Sequence, residues 1–199
     1  MIEEITGLRE ENTREQRWSH FLTVFVAVLM LLYGFNMRNS TLTASSLYAN
    51  PEAGIRVRYP QNWLIDESDD YVMRVRDMTR IGFKTTILVS TRPVGSFTSE
   101  RNVRDQLILE RADNLIGYQS FATEPYILSD ESEGLKTDYA FVDAEINPSS
   151  ETTLIPVHGT DIIFIRGSQA IIITFLANAE TFDEEFTFFN RFLNSLELF

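Results

Sequence analysis

The chain has 199 residues, no cysteine, and 17 basic against 29 acidic side chains, for a formal charge of −12. The length predicts one compact domain with an appendage, and the 44% apolar content with 15 phenylalanines excludes a disordered acidic tail. The missing cysteines exclude a disulfide scaffold, a cysteine nucleophile, an iron–sulfur cluster and a thiolate zinc site, and the acidic balance argues against a nucleic-acid partner.

Residues 1–17 read as a short helical tail. Ile2, Ile5 and Leu8 recur every third position, and Glu10 and Arg14 stand at i, i+4, where they can pair. The tail is either a solvated helix or a contact with a partner. Residues 18–37 (WSHFLTVFVAVLMLLYGFNM) carry no Asp, Glu, Lys or Arg. A helix of that length spans about 30 Å, the thickness of a bilayer core. Trp18 and His20 stand at one end and Tyr33 and Asn36 at the other, and Trp and Tyr suit the membrane interface because their rings are amphipathic.

A cleaved signal peptide is the competing reading of this segment. It calls for a short positive lead, whereas Arg9, Arg14 and Arg17 are outweighed by Glu3, Glu4, Glu10, Glu11 and Glu15. Leu42-Thr43-Ala44 is a weak cleavage candidate. The expectation is therefore an uncleaved single-pass anchor in a cell membrane. The arginines before the span give a slight bias to a cytoplasmic N-terminus and an extracytoplasmic C-terminal domain. Residues 38–46, small and low in charge, read as a linker. Asn39-Ser40-Thr41 matches a glycosylation acceptor, a triplet common by chance.

Residues 47–199 hold 13 basic and 24 acidic side chains and form the expected extracytoplasmic domain. Gly54 to Tyr59 alternates and stops at Pro60, a strand pattern, and Trp63 is placed to fold over the edge of the core. Tyr71–Arg76 and Thr85–Arg92 read as further strands. Ser99 to Tyr118 reads as a helix with Ile108, Ala112, Leu115 and Ile116 on its apolar face and Gly117 at its end. Strands follow near Tyr126–Ser129 and over Thr137–Ile146. Asp161–Arg166 and Ala170–Ala177 are apolar on successive residues, the mark of strands covered on both faces, and Gly167-Ser168-Gln169 joins them as a hairpin. The last helix starts at Thr181, where Thr181 and Glu184 have capping-box spacing. Phe182, Phe186, Phe189, Leu193 and Leu196 form its apolar stripe, a core feature by the burial habit of Phe. The order of elements gives an α+β domain with a mainly antiparallel sheet.

The segment Tyr48-Ala49-Asn50-Pro51-Glu52-Ala53-Gly54-Ile55-Arg56-Val57-Arg58-Tyr59-Pro60-Gln61-Asn62-Trp63 resembles the opening of Mog1/PsbP-like domains: an aromatic, a short turn, a strand, then Tyr-Pro-x-x-Trp. The close of the chain, Ile171 to Leu196, is similar to theirs as well. The resemblance implies an α/β/α sandwich with a central, mainly antiparallel sheet. It also implies a mostly non-catalytic family that includes accessory proteins on the lumenal side of photosystem II and bacterial lipoproteins. The chain departs from that pattern in its helical anchor and in having no lipobox cysteine.

Candidate chemistry is sparse. His20 lies within two residues of Trp18, at the edge of the span. It is a candidate axial ligand for haem or a pigment, set against the simpler reading of a solvated interfacial histidine. His158 with Asp161 is a candidate metal pair, set against a loop histidine that no second histidine can join. Asp69-Asp70, Glu131 with Glu133, and Glu184-Glu185 are carboxylate pairs that solvation explains, and loose Ca²⁺ binding by the acidic run Asp66 to Asp70 is unspecific. The sequence holds no Gly-x-Ser-x-Gly, Walker loop or EF-hand loop. The expectation is a non-catalytic, cofactor-free accessory or assembly subunit of a larger membrane complex, photosynthetic or respiratory. Its partners would be other transmembrane subunits and the bilayer. A tethered ligand- or envelope-binding module is the alternative.

Overall fold

A computed structural model describes residues 14–42, 44–146 and 152–199. The tail reading at Ile2, Ile5, Leu8 and Glu10 lies outside the described residues. The chain divides into two units, the first ending at Ala44 and the second running Ser45–Phe199.

The first unit is one helix, α1 (Arg14–Leu42). Its stretch Trp18–Arg38 is long and apolar enough to cross a membrane, and every side chain along it is exposed. The helix continues past the expected end at Met37 because no Gly or Pro stops it before Leu42.

The second unit has two sheets. β1 (Ser45–Asn50), β2 (Ile55–Pro60) and the two-residue β10 (Glu197–Leu198) form a small antiparallel sheet in the order β1-β2-β10. The expected linker over 38–46 is thus taken up by α1 at one end and β1 at the other. β1 has a polar sequence, but pairing with β2 satisfies its backbone, and the Tyr48 hydroxyl donates to the carbonyl of Val72 at 3.0 Å.

The remaining strands are β3 (Leu64–Ser68), β4 (Tyr71–Arg76), β5 (Thr86–Pro93), β6 (Ile116–Ile127), β7 (Glu133–Ile146), β8 (Thr152–Arg166) and β9 (Gln169–Asn178). They make a seven-stranded antiparallel sheet in the order β3-β4-β5-β9-β8-β7-β6. The two strands with continuous apolar runs, β8 and β9, sit at its centre. Gly167 opens their two-residue turn with φ +57°, a conformation that costs glycine nothing.

Alternation along these strands feeds cores on both faces of the sheet. Ile162, Phe164, Ile171, Ile173 and Phe175 face α3 (Phe182–Asn194) and the small sheet. Ile163, Ala170 and Ile172 face α2 (Glu100–Asn114), which contributes Val103 and Leu107. The stripe of α3 packs as its spacing predicts, with Phe189 stacked on Phe175 at 4.9 Å between ring centroids. Trp63 is buried and meets Phe188 at 5.7 Å.

Three details differ from the pattern. The buried face of α2 is Val103 and Leu107; Ala112 and Ile116 are exposed. α2 ends at Asn114, and the expected last turn is instead the start of β6, where Ile116 pairs with Val142. At α3 the Thr181 hydroxyl donates to Glu185 Oε1 at 2.8 Å, so the box with Glu184 does not form. Glu185 is turned inward, and Arg80 Nε meets its Oε1 at 3.2 Å. Of the pair Glu184-Glu185, one member is therefore solvated and the other buried.

Candidate functional site

α2 packs over β6, β7 and β8 and leaves the same face of the sheet uncovered beyond β9. There β5 presents Leu88, Ser90 and Arg92, and β9 presents Ile172, Thr174 and Leu176, paired as Leu88↔Thr174 and Ser90↔Ile172. The inner side of α2 forms a wall over them. The result is a cleft of about 390 Å³, lined also by Leu107, Glu110, Arg111, Asn114, Leu115 and Phe141, with Asp70 and Tyr71 at its rim.

One wall rests on a buried charge network. Arg111 Nη2 donates to Asp161 Oδ1 at 2.7 Å and to Thr174 Oγ1 at 3.2 Å, while the Thr174 hydroxyl donates to Asp161 Oδ1 at 2.7 Å. The guanidinium also lies 4.3 Å over the ring of Tyr139. Asp161 is fully buried, and burial pushes its carboxyl above the usual range against the pull of Arg111. The other wall is closed by Arg92, whose Nη1 and Nη2 reach Glu110 Oε1 and Oε2 at 2.7 Å each. That fork holds Glu110 below the usual carboxylate range. A third pair stands on the same open face. Asp66 accepts from Arg74 Nε at 3.1 Å and Nη2 at 2.5 Å, and Arg74 holds its carboxyl low.

The structure separates the sequence candidates. His158 and Asp161 lie three residues apart on β8, so alternation places them on opposite faces of the sheet. Asp161 joins Arg111, whereas the His158 ring stacks on Phe182 at 3.8 Å, with Phe121 edge-on at 6.1 Å. Burial lowers the pKa of His158. His158 sits within a strand, not in the expected loop. His20 is an exposed residue of α1, with Trp18 and Tyr33 equally exposed. Asp69, Asp70, Glu131 and Glu133 are exposed, whereas Asp66 is a strand residue committed to Arg74. Among the described residues no group of three or more His, Asp or Glu side chains is placed to hold a metal ion.

The network at Arg111 went unread in the sequence, although it leaves a trace. Val103, Leu107 and Arg111 follow one helical stripe, and the third position carries a charge where an apolar residue is expected.

No family signature matches the chain, and no characterised protein matches it by sequence. Among solved structures, cyanobacterial PsbP (CyanoP) from Synechocystis sp. PCC 6803 superposes with a TM-score of 0.59. The match has 11% identity and covers 78% of this chain and 93% of that one. The second unit, called the β-domain for its two sheets, has a PsbP-like fold. PA94 of Pseudomonas aeruginosa, a protein of unknown function described as a putative regulator, gives a TM-score of 0.49 at 10% identity, over 74% of this chain and 92% of its own. LpqN of Mycobacterium tuberculosis, described as involved in cell envelope biogenesis, gives 0.47 at 12% identity, over 78% and 90%. The fold is the α+β sandwich expected from the opening and closing segments, with α2 and α3 on opposite faces of an antiparallel sheet.

Proposed function

We propose that this chain is a membrane-anchored, non-catalytic accessory or assembly subunit of a larger membrane complex, of photosynthetic or respiratory type. In this reading α1 docks among other transmembrane helices. The β-domain lies on the extracytoplasmic side and covers part of the complex. The observation that carries the reading is the joining of an apolar helix to a PsbP-like domain through only six residues, 39–44, between Arg38 and Ser45. A tether so short suits a domain working at the membrane surface. The sequence resemblance to a mostly non-catalytic family supports the same reading. Its test is mild solubilisation followed by native gel electrophoresis with mass spectrometry of the co-migrating proteins. A band well above the monomer is expected, and migration as a free monomer overturns the proposal.

The cleft beside α2 favours a second reading, a tethered module that binds a ligand. It is concave, largely apolar and bordered by a few placed polar groups, as small-molecule sites are. The two readings are compatible, since a subunit can hold a ligand.

A further inference from the structure

The chemistry of the cleft restricts what it can hold. Its floor is apolar at the half-buried Leu88 and Leu176, with the buried Ile172 and Leu107 behind them. Its wall charges are paired, and Asp70 at the rim is exposed to solvent. Arg92 gives both terminal nitrogens to Glu110, and Arg111 is shared between Asp161 and Thr174. An anion entering the cleft competes with Glu110 and Asp161 for these arginines, and a cation is repelled by them. Either is desolvated against walls whose opposite charges are already paired. A molecule without charge meets neither obstacle and gains from the apolar floor. Ser90, half-exposed on the floor, and Asn114 on the wall supply hydrogen-bonding groups at the edge of the apolar surface.

We infer that this cleft binds an uncharged small molecule with an apolar body and a hydrogen-bonding end, seated on β5 and β9 and covered on one side by α2. The inference rests on the ligand-binding reading above and gives it a ligand class. The pairing of the wall charges is what selects an uncharged occupant over an ion.

The test uses the full chain in phosphatidylcholine nanodiscs with three photoreactive probes of one length: a diazirine-bearing decanol, decanoate and decylammonium. Labelled sites are mapped by peptide mass spectrometry. Decanol is expected to label residues 86–93, 100–114 and 169–178 at least five-fold more than either charged probe, with excess unlabelled decanol abolishing the label. Ser90→Trp fills the floor and is expected to remove cleft labelling while α1 labelling persists, its fold checked by circular dichroism. If that variant does not fold, the charge selectivity and decanol competition in the unmodified chain decide alone. Label confined to α1, equal label from all three probes, or undiminished cleft label in folded Ser90→Trp each overturns the inference. Such a failure is separate from failure of the accessory reading, which the native gels report.

Discussion

Arg111 on α2 and Asp161 on β8 are 50 residues apart in sequence and joined by a 2.7 Å charge-assisted hydrogen bond beneath the helix. The Arg111 side chain is 16% exposed and that of Asp161 5%. The pair is the polar pin that holds α2 to the sheet and so fixes the wall of the cleft.

Removing one partner strands the other. Arg111→Ala is expected to destabilise the β-domain by about 3–5 kcal/mol, because Asp161 keeps its burial and loses its partner. Arg111→Met combined with Asp161→Leu is expected to recover most of that loss, since an apolar pair of similar volume has no charge to desolvate. Urea denaturation of the two variants and the unmodified chain, followed by circular dichroism, measures both.

Tyr139 is wholly buried below Arg111, and its hydroxyl has no hydrogen-bond partner among the described residues. Tyr139→Phe is expected to leave stability unchanged or to raise it by up to about 1 kcal/mol, as the orphan hydroxyl is deleted. The ring fits because position 159 is glycine; a Cβ there would collide with Tyr139. Gly159→Ala is expected to cost about 1–3 kcal/mol through overpacking. Melting temperatures of the two variants check the signs.

His158 stacks on the first turn of α3, and its Nε2 is buried without a hydrogen-bond partner among the described residues. Asp138, Asp183 and Lys136 are the charged groups around it. Burial lowers its pKa in the folded state, so the unfolded chain protonates first as pH falls. Stability unaffected above the unfolded value of about 6.5 is expected to decline as pH drops below it, until the folded-state pKa is passed. In His158→Gln that component of the slope is expected to vanish. Denaturation midpoints between pH 7.5 and 5 test it.

In α1 the central residue Val26 is exposed among other apolar side chains. Val26→Arg is expected to reduce membrane insertion, since a central arginine costs about 2.5–3.5 kcal/mol. Carbonate extraction of membranes reports the shift. Peptide mass spectrometry of the protein from its host separates an anchor from a cleaved signal, the anchor predicting that residues 18–37 are retained in the mature chain.

Much of the fold was legible because local pattern and environment agree. The strand Tyr71–Arg76, the doubly apolar β8 and β9 and the phenylalanine stripe of α3 could each be read from spacing, as burial on one or both faces writes itself into sequence periodicity. β1 and β6 were missed or shortened because their residues are polar or exposed and their strand state comes from a partner strand. Glu185 read as solvated because its sequence neighbours Asp183 and Glu184 are exposed, while its own burial depends on Arg80 from a distant loop.

The sequence by itself determined an apolar helix long enough to cross a bilayer, an acidic α+β domain behind it, and the absence of cysteine chemistry, because these follow from composition and local periodicity. Only the tertiary structure decided that His158 and Asp161 face opposite ways, that Asp161 pairs with Arg111, and that an apolar cleft with neutralised walls opens beside α2. Those relations depend on which strands become neighbours and which half of the sheet a helix covers. Long-range pairing sets both, and no local window of residues contains it.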